Sequence, residues 1–118
     1  MAALVDCFSP DYLNETRVHP ARSFRGREQV GANWRRIFAA APDLRARILG
    51  SVVDGATGWS EWEMAGTRPD GSAHLMPGVV IFEVADGRAA SARFYLEPVD
   101  RSDTDANAAV QAAVGATS

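Results

Sequence analysis

Two histidines, His19 and His74, are the side chains of this 118-residue chain that change charge near neutral pH, since an unperturbed imidazole titrates near ~6.5. His74 lies in the apolar run Ala73–Ala85. A positioned imidazole there can move a proton α to a carbonyl, as an aldol-type cyclisation or an isomerisation requires. The competing reading is a partly solvated histidine beside a hairpin turn. His19 precedes Pro20 at the end of an expected strand, where donation to a loop carbonyl would fix the Val18–Phe24 connection. Tyr12 and Asn14 offer a ring with a polar tip and an amide that both donates and accepts, which suits orienting a carbonyl or hydroxyl oxygen. Plain strand packing is their alternative. Glu61 and Glu63 stand two apart and so share one strand face. Cys7 has no evident base or cation beside it and reads as core.

The two histidines show no ligand spacing with each other or with the single cysteine, so no metal is expected. Gly26 lacks the companions of a phosphate loop, and no cofactor is expected either. With 12 basic and 15 acidic residues the net charge is −3, and no basic cluster exceeds two residues, which argues against a nucleic-acid partner. No apolar run reaches the ~18–20 residues of a membrane span. The first residues lack a basic n-region and meet Asp6, unlike a signal peptide; with one cysteine, the expected compartment is the cytosol. Hydrophobic residues at 47% and charged residues at 23% fit one ordinary globular domain.

The elements that must position these groups follow from periodicity. Ala2–Phe8 is a short apolar helix-like stretch broken at Pro10. Asp11–His19 reads as a strand. Val30, Trp34, Ile37, Phe38 and Ala41 fall on one face of a 3.6-residue period, giving a helix over Arg27–Ala41 that Pro42 stops. Thereafter the period is two: Leu44–Ile48, Trp59–Gly66, Ala73–Ala85 and Arg88–Val99 are separated by Asp54-Gly55, Asp70-Gly71 and Asp86-Gly87. Asp-Gly between alternating runs is a hairpin signal, so a four-stranded antiparallel meander is predicted. Residues 100–118 carry no aromatic side chain and read as a frayed or weakly helical tail around Ala106–Val114.

Several segments together resemble a known family: Tyr12-Leu13-Asn14, Phe24-Arg25-Gly26 through Val30, Pro42-Asp43, Trp59 through Trp62, Gly66-Thr67 with Asp70-Gly71, and Asp86-Gly87-Arg88 with Arg93-Phe94-Tyr95. They are similar to the SnoaL-like branch of the nuclear transport factor 2-like superfamily over about residues 3–99. The resemblance implies an α+β cone, a curved antiparallel or mixed sheet wrapped on an amphipathic helix. Fold alone does not settle the reaction. The family includes cyclases, isomerases, epoxide hydrolases and non-catalytic binders. Relatives begin with a longer helix, and the shortened Ala2–Phe8 would leave three or four core side chains uncovered, forfeiting on the order of 5–10 kcal/mol of burial. A partner subunit or the tail is expected to cover them, unless the native start lies upstream of Met1.

Matching Tyr12 and Asn14 to the family's pocket-facing pair puts even-numbered residues inward. Trp34, Trp62, Met64, Met76 and Phe94 then line an apolar chamber, with His19 near its edge and Gly66 and Gly78 leaving room. Where the resemblance places the arginine and two aspartates of an epoxide hydrolase, this chain has Trp62, Met64 and Phe94, so that chemistry is disfavoured. The odd-numbered face holds Trp59, Glu61, Glu63, Leu75, Val79, Ile81, Arg93, Tyr95 and Glu97, and is expected to join two subunits as a homodimer. The resemblance thus implies a cofactor-independent cyclase or isomerase of a small hydrophobic, oxygenated, polyketide- or terpenoid-like ligand. His74, Asn14 and Tyr12 would be its catalytic residues, and Trp34, Trp62, Met64, Met76, Phe94 and His19 its substrate contacts. The alternative is a non-catalytic binding or dimerisation domain, or an accessory subunit of a partner enzyme.

Overall fold

A computed structural model describes residues 2–99 and 103–115. The chain runs through α1 (Ala2–Val5), β1 (Phe8–Glu15), a 3-10 turn (Pro20–Arg22), β2 (Phe24–Arg25), α2 (Arg27–Ala40), β3 (Arg45–Asp54), β4 (Thr57–Thr67), β5 (Ala73–Ala85), β6 (Arg88–Leu96) and α3 (Ala106–Gly115). The strands form one mixed sheet in the order β2-β1-β6-β5-β4-β3. It curves around α2, whose Val30 packs with Tyr12, Val80 and Ala92 in the buried core. The cone expected from the sequence is the fold observed.

Of the three Asp-Gly pairs, Asp86-Gly87 follows the predicted turn chemistry in full, while at Asp54-Gly55 and Asp70-Gly71 only the glycine takes a positive φ, 60° and 86°. Asp86 and Gly87 take φ of 54° and 75°, the left-handed pair that matches strand twist. β4 and β5 pair without a shift from Thr57↔Glu83 to Thr67↔Ala73, so alternation carries through both strands unbroken. Gly26 caps the start of α2 with a φ of 101° that only glycine takes without strain, and the helix ends one residue before the expected Ala41.

The N-terminal region departs from expectation. The first helix stops at Val5, and Pro10 lies inside β1 rather than ending a helix. The parallel register of β1 with β6 skips from Phe8↔Ala89 to Leu13↔Ser91, and this bulge accommodates a residue with no donor to give. β1 ends at Glu15, short of His19, because Thr16 closes a turn: its carbonyl accepts from the His19 N–H at 2.9 Å and its hydroxyl donates to the His19 carbonyl at 2.8 Å.

One end of the cone is thinly covered. Leu4, Ile37 and Phe38 remain 36%, 36% and 38% exposed. Every residue of α3 is exposed, so the tail helix does not seat over this end in the single chain. Among the described residues no helix is long and apolar enough to cross a membrane.

Candidate functional site

The curvature that buries Val80 leaves a hollow of about 400 Å³ between α2 and the concave sheet face, within the range of small-molecule sites. β1 sends Tyr12 and Asn14 into it, β4 sends Met64, β5 sends His74 and Met76, and β6 sends Phe94, while α2 roofs it with Val30 and Trp34. A larger trough of about 550 Å³, lined by Val5 and the Glu28–Arg35 stretch of α2, lies apart from these groups and contains neither histidine.

Polarity in the hollow is concentrated at a few atoms. The Tyr12 hydroxyl donates to Asn14 Oδ1 at 2.7 Å. Tyr12 is 0% exposed, and burial pushes its phenol well above the ordinary tyrosine range, so it stays a proton-bearing donor. With Oδ1 taken, Asn14 Nδ2 makes no bond to a described residue. Among the described residues no fully buried side-chain nitrogen or oxygen lacks a partner, so Nδ2 opens on the cavity as a donor. At the opposite wall, His74 Nδ1 lies 3.3 Å from Arg68 Nη2. A guanidinium only donates, so Nδ1 accepts and the ring proton sits on Nε2. In that tautomer His74 offers Nε2–H as a second donor.

At the rim, His19 Nε2 lies 2.7 Å from Glu97 Oε1, with Arg22 Nη1 3.9 Å from the same oxygen. Glu97 and Arg22 line the hollow; His19 stands behind Glu97 and is not among the lining residues. His19 was expected to donate to a loop carbonyl, but its ring goes to this carboxylate while its backbone fixes the turn. Glu97 was expected to point outward. β6 ends at Leu96, but the Glu97 N–H still donates to the Pro77 carbonyl at 3.3 Å and the Val99 N–H to the Leu75 carbonyl at 2.9 Å, so the backbone stays paired while Leu96, Glu97 and Pro98 all line the hollow. Two histidine-to-acid separations along a sequence carry no such signal; only the acidic residue just past the last strand hinted at it.

The structure brings Tyr12, Asn14, Trp34, Met64, His74, Met76 and Phe94 together in one hollow. Trp62 lies outside it, in an adjoining one, with its indole N–H donated to Ser60 Oγ at 2.7 Å. Gly66 and Gly78 do not make room for a ligand. A methyl group on Gly78 would meet the Tyr95 carbonyl oxygen and Leu96 Cα, and one on Gly66 would lie 3.3 Å from Leu44 Cα. Both glycines admit neighbouring chain instead. Glu63 points away from the hollow to Arg47, at 3.2 Å. Among the described residues no group of three His, Cys, Asp or Glu could hold a metal ion.

Residues 1–92 match the SnoaL-like domain family. The chain belongs to that family. Solved structures with the same fold include a nuclear transport factor 2-like protein of unknown function from Exiguobacterium sp. 255-15, 24% identical, covering 84% of this chain and 82% of that one with a TM-score of 0.69. A proposed polyketide cyclase from Sinorhizobium meliloti is 27% identical and covers 79% of each chain, with a TM-score of 0.62. An LEH-like epoxide hydrolase from Mycobacterium tuberculosis is 21% identical, covering 81% of this chain and 69% of that one, with a TM-score of 0.68. No curated protein matches the chain. The SnoaL-like membership accords with the α2-roofed hollow.

Proposed function

We propose that this SnoaL-like protein is a cofactor-independent cyclase or isomerase of a small hydrophobic ketone, polyketide- or terpenoid-like in character. The observation that carries the reading is that two side-chain donors, Asn14 Nδ2 and His74 Nε2, share a mostly apolar hollow with the carboxylate of Glu97, while Thr16, Arg22 and Asn33 supply its remaining polar lining. Glu97 takes the proton α to the carbonyl, and the C–H electron pair moves into an enolate. Asn14 and His74 hydrogen-bond the oxygen on which the charge gathers. In a β,γ-unsaturated ketone the resulting dienolate recovers the proton from Glu97 at its γ-carbon as the double bond moves into conjugation; in a cyclisation the enolate carbon instead attacks a second carbonyl while the resulting alkoxide takes that proton. His74 thus serves as an oxygen-holding donor, not as the proton carrier expected from its type. Tyr12 acts through Asn14 as a positioning residue.

The working unit is a homodimer joined through the convex sheet face, with the unpaired thiol of Cys7 suited to a reducing cytosol. Trp59 and Tyr95, 49% and 37% exposed, flank Val79 and Ile81 on that face and support this assembly. The experiment is deuterium exchange at the α-carbons of a ketone panel in D2O, followed by proton NMR. Exchange accelerated over buffer is the expected result. A second reading, a non-catalytic binder, draws support from the apolar Trp62, Met64 and Phe94 where the hydrolase resemblance would place charges. Tight ketone binding without accelerated exchange would establish it in place of the first.

A further inference from the structure

Beside the hollow that holds Asn14 lies a second one of about 280 Å³. Phe8, Trp34, Leu44, Met64 and Phe94 line both and form a shared wall. Polar groups are divided unevenly between them. Asn14, Arg22, Asn33, His74 and Glu97 line only the first. No ionisable side chain lines the second, where Leu4, Phe38, Ala46, Trp62, Val80 and Phe82 complete the surface. Its one private N–H, the Trp62 indole, is spent on Ser60 Oγ, and the Ser60 hydroxyl in turn donates to the Val80 carbonyl at 2.9 Å. The donors that this part of the wall contains are therefore consumed within the wall.

We infer that the ligand is bipartite: an oxygenated head sits at Asn14 and Glu97, and an unsubstituted hydrocarbon limb passes Met64 into the second hollow. This rests on the functional reading above for the head and adds the limb. A limb of methylenes loses no hydrogen bond on entry and gains apolar burial. A hydroxyl at the far end of that limb, past the Trp34 indole of the shared wall, would give up its bonds to water and meet no free side-chain partner. Met64 and Trp34, on the shared wall, set the width of the passage, and the unbranched, adaptable Met64 side chain can move aside for a chain. Polyhydroxylated ring systems are excluded from the far end by the same reasoning.

The test is calorimetric titration of the full chain with 2-hexanone, 2-octanone, 2-decanone and 2-dodecanone. Affinity is expected to rise roughly 3- to 4-fold per added methylene through the longest ketone. A terminal hydroxyl on 2-dodecanone is expected to cost about tenfold or more. Ala46→Phe, which fills the second hollow, and Phe38→Glu, which places a charge at its partly exposed edge, should each flatten the series, so that the ratio of longest to shortest affinity collapses. The second variant guards against a packing failure in the first. A rise that stops at 2-octanone in the unaltered protein, or a series unchanged by both substitutions, overturns the inference. Asn14→Ala weakening 2-hexanone in that case would leave the functional reading standing. Failure of every ketone to bind overturns both.

Discussion

The imidazole of His19 and the carboxylate of Glu97 meet at 2.7 Å, tying the turn after β1 to the segment that leaves β6. That bond uses Glu97 Oε1 and leaves the other oxygen of this lining carboxylate without an ion-pair partner among the described residues. It also holds the carboxylate in place at a rim that is otherwise open: the two side chains are 34% and 46% exposed. A base at a solvated edge is poorly oriented unless something anchors it, and a mis-set proton acceptor forfeits much of its catalytic value.

Glu97→Gln keeps the shape and the His19 contact but cannot take a proton. α-Proton exchange is expected to fall about 10²- to 10⁴-fold, the usual worth of a positioned acid–base group. His19→Ala should cost less, on the order of tenfold, because the carboxylate remains and only its orientation loosens. Exchange rates by NMR for the two variants check the order. Equal losses would contradict the positioning role of His19, and no loss in Glu97→Gln would remove the base.

Tyr12→Phe removes the hydroxyl that occupies Asn14 Oδ1. The amide oxygen is left without a bond in a side chain only 7% exposed, a cost of about 1–3 kcal/mol. The amide is then free to flip and offer its oxygen to the ligand instead of its N–H. Urea unfolding should show the stability loss. Titration of 2-hexanone should show weakened binding. A stable variant with undiminished ketone affinity would mean that the Tyr12 bond does not orient Asn14.

The even-numbered parity of Trp62, Met64, His74, Met76 and Phe94 was readable in the sequence because β4 and β5 pair without a break. One correct match at Tyr12 and Asn14 therefore fixed the faces of residues far along the chain. Where the ladder is irregular, alternation lost its authority. Pro10 reads as a helix stop, yet a bulge in β1 hosts it, and alternation points Glu97 outward although Leu96, Glu97 and Pro98 all line the hollow beyond the end of β6. The private tautomer of His74 depends on Arg68 across a hairpin, a contact that no spacing rule encodes. Gly78 reads as vacant pocket space; it marks a close approach of the paired β5 and β6 backbones.

That close approach gives a stability prediction. An added methyl on Gly78 would press on the Tyr95 carbonyl oxygen and the Leu96 backbone, neither of which can swing aside as a side chain would. Gly78→Ala should destabilise by about 1–3 kcal/mol through overpacking. The midpoint of urea unfolding measures it. A midpoint equal to that of the parent protein would show that β6 can shift at no cost.

Trp59→Lys probes the convex face. Trp59 is 49% exposed in the single chain, so the monomer fold should tolerate the change. A two-fold interface would receive the new charge twice, once from each subunit. Sedimentation velocity is expected to show a dimer for the parent and a shift toward monomer for the variant. A parent protein that sediments as a monomer at micromolar concentration would rule the assembly out.

Asp43 links the end of α2 to β4, accepting from the Thr67 N–H at 2.8 Å and from the Thr67 hydroxyl at 2.7 Å. The Thr67 hydroxyl, followed by its backbone N–H, holds the carboxyl below its ordinary value of 3.8. Its folded form therefore binds a proton less readily than its unfolded form. Between the lowered folded value and the ordinary one, the unfolded chain carries more protons, so stability rises with pH across that window. The contribution is present above the ordinary value and is lost as pH falls through the folded one. Asp70, lowered in the same direction by Ser72, adds a local term at the hairpin tip. Asp43→Asn should lower the unfolding midpoint at pH 7 yet narrow the gap between the midpoints at pH 7 and pH 3. Thr67→Val should do the same by removing the hydroxyl partner while leaving the carboxylate. Denaturant titrations at the two pH values decide the matter: an unchanged gap in both variants would mean that this strap between α2 and β4 carries no acid-sensitive stability.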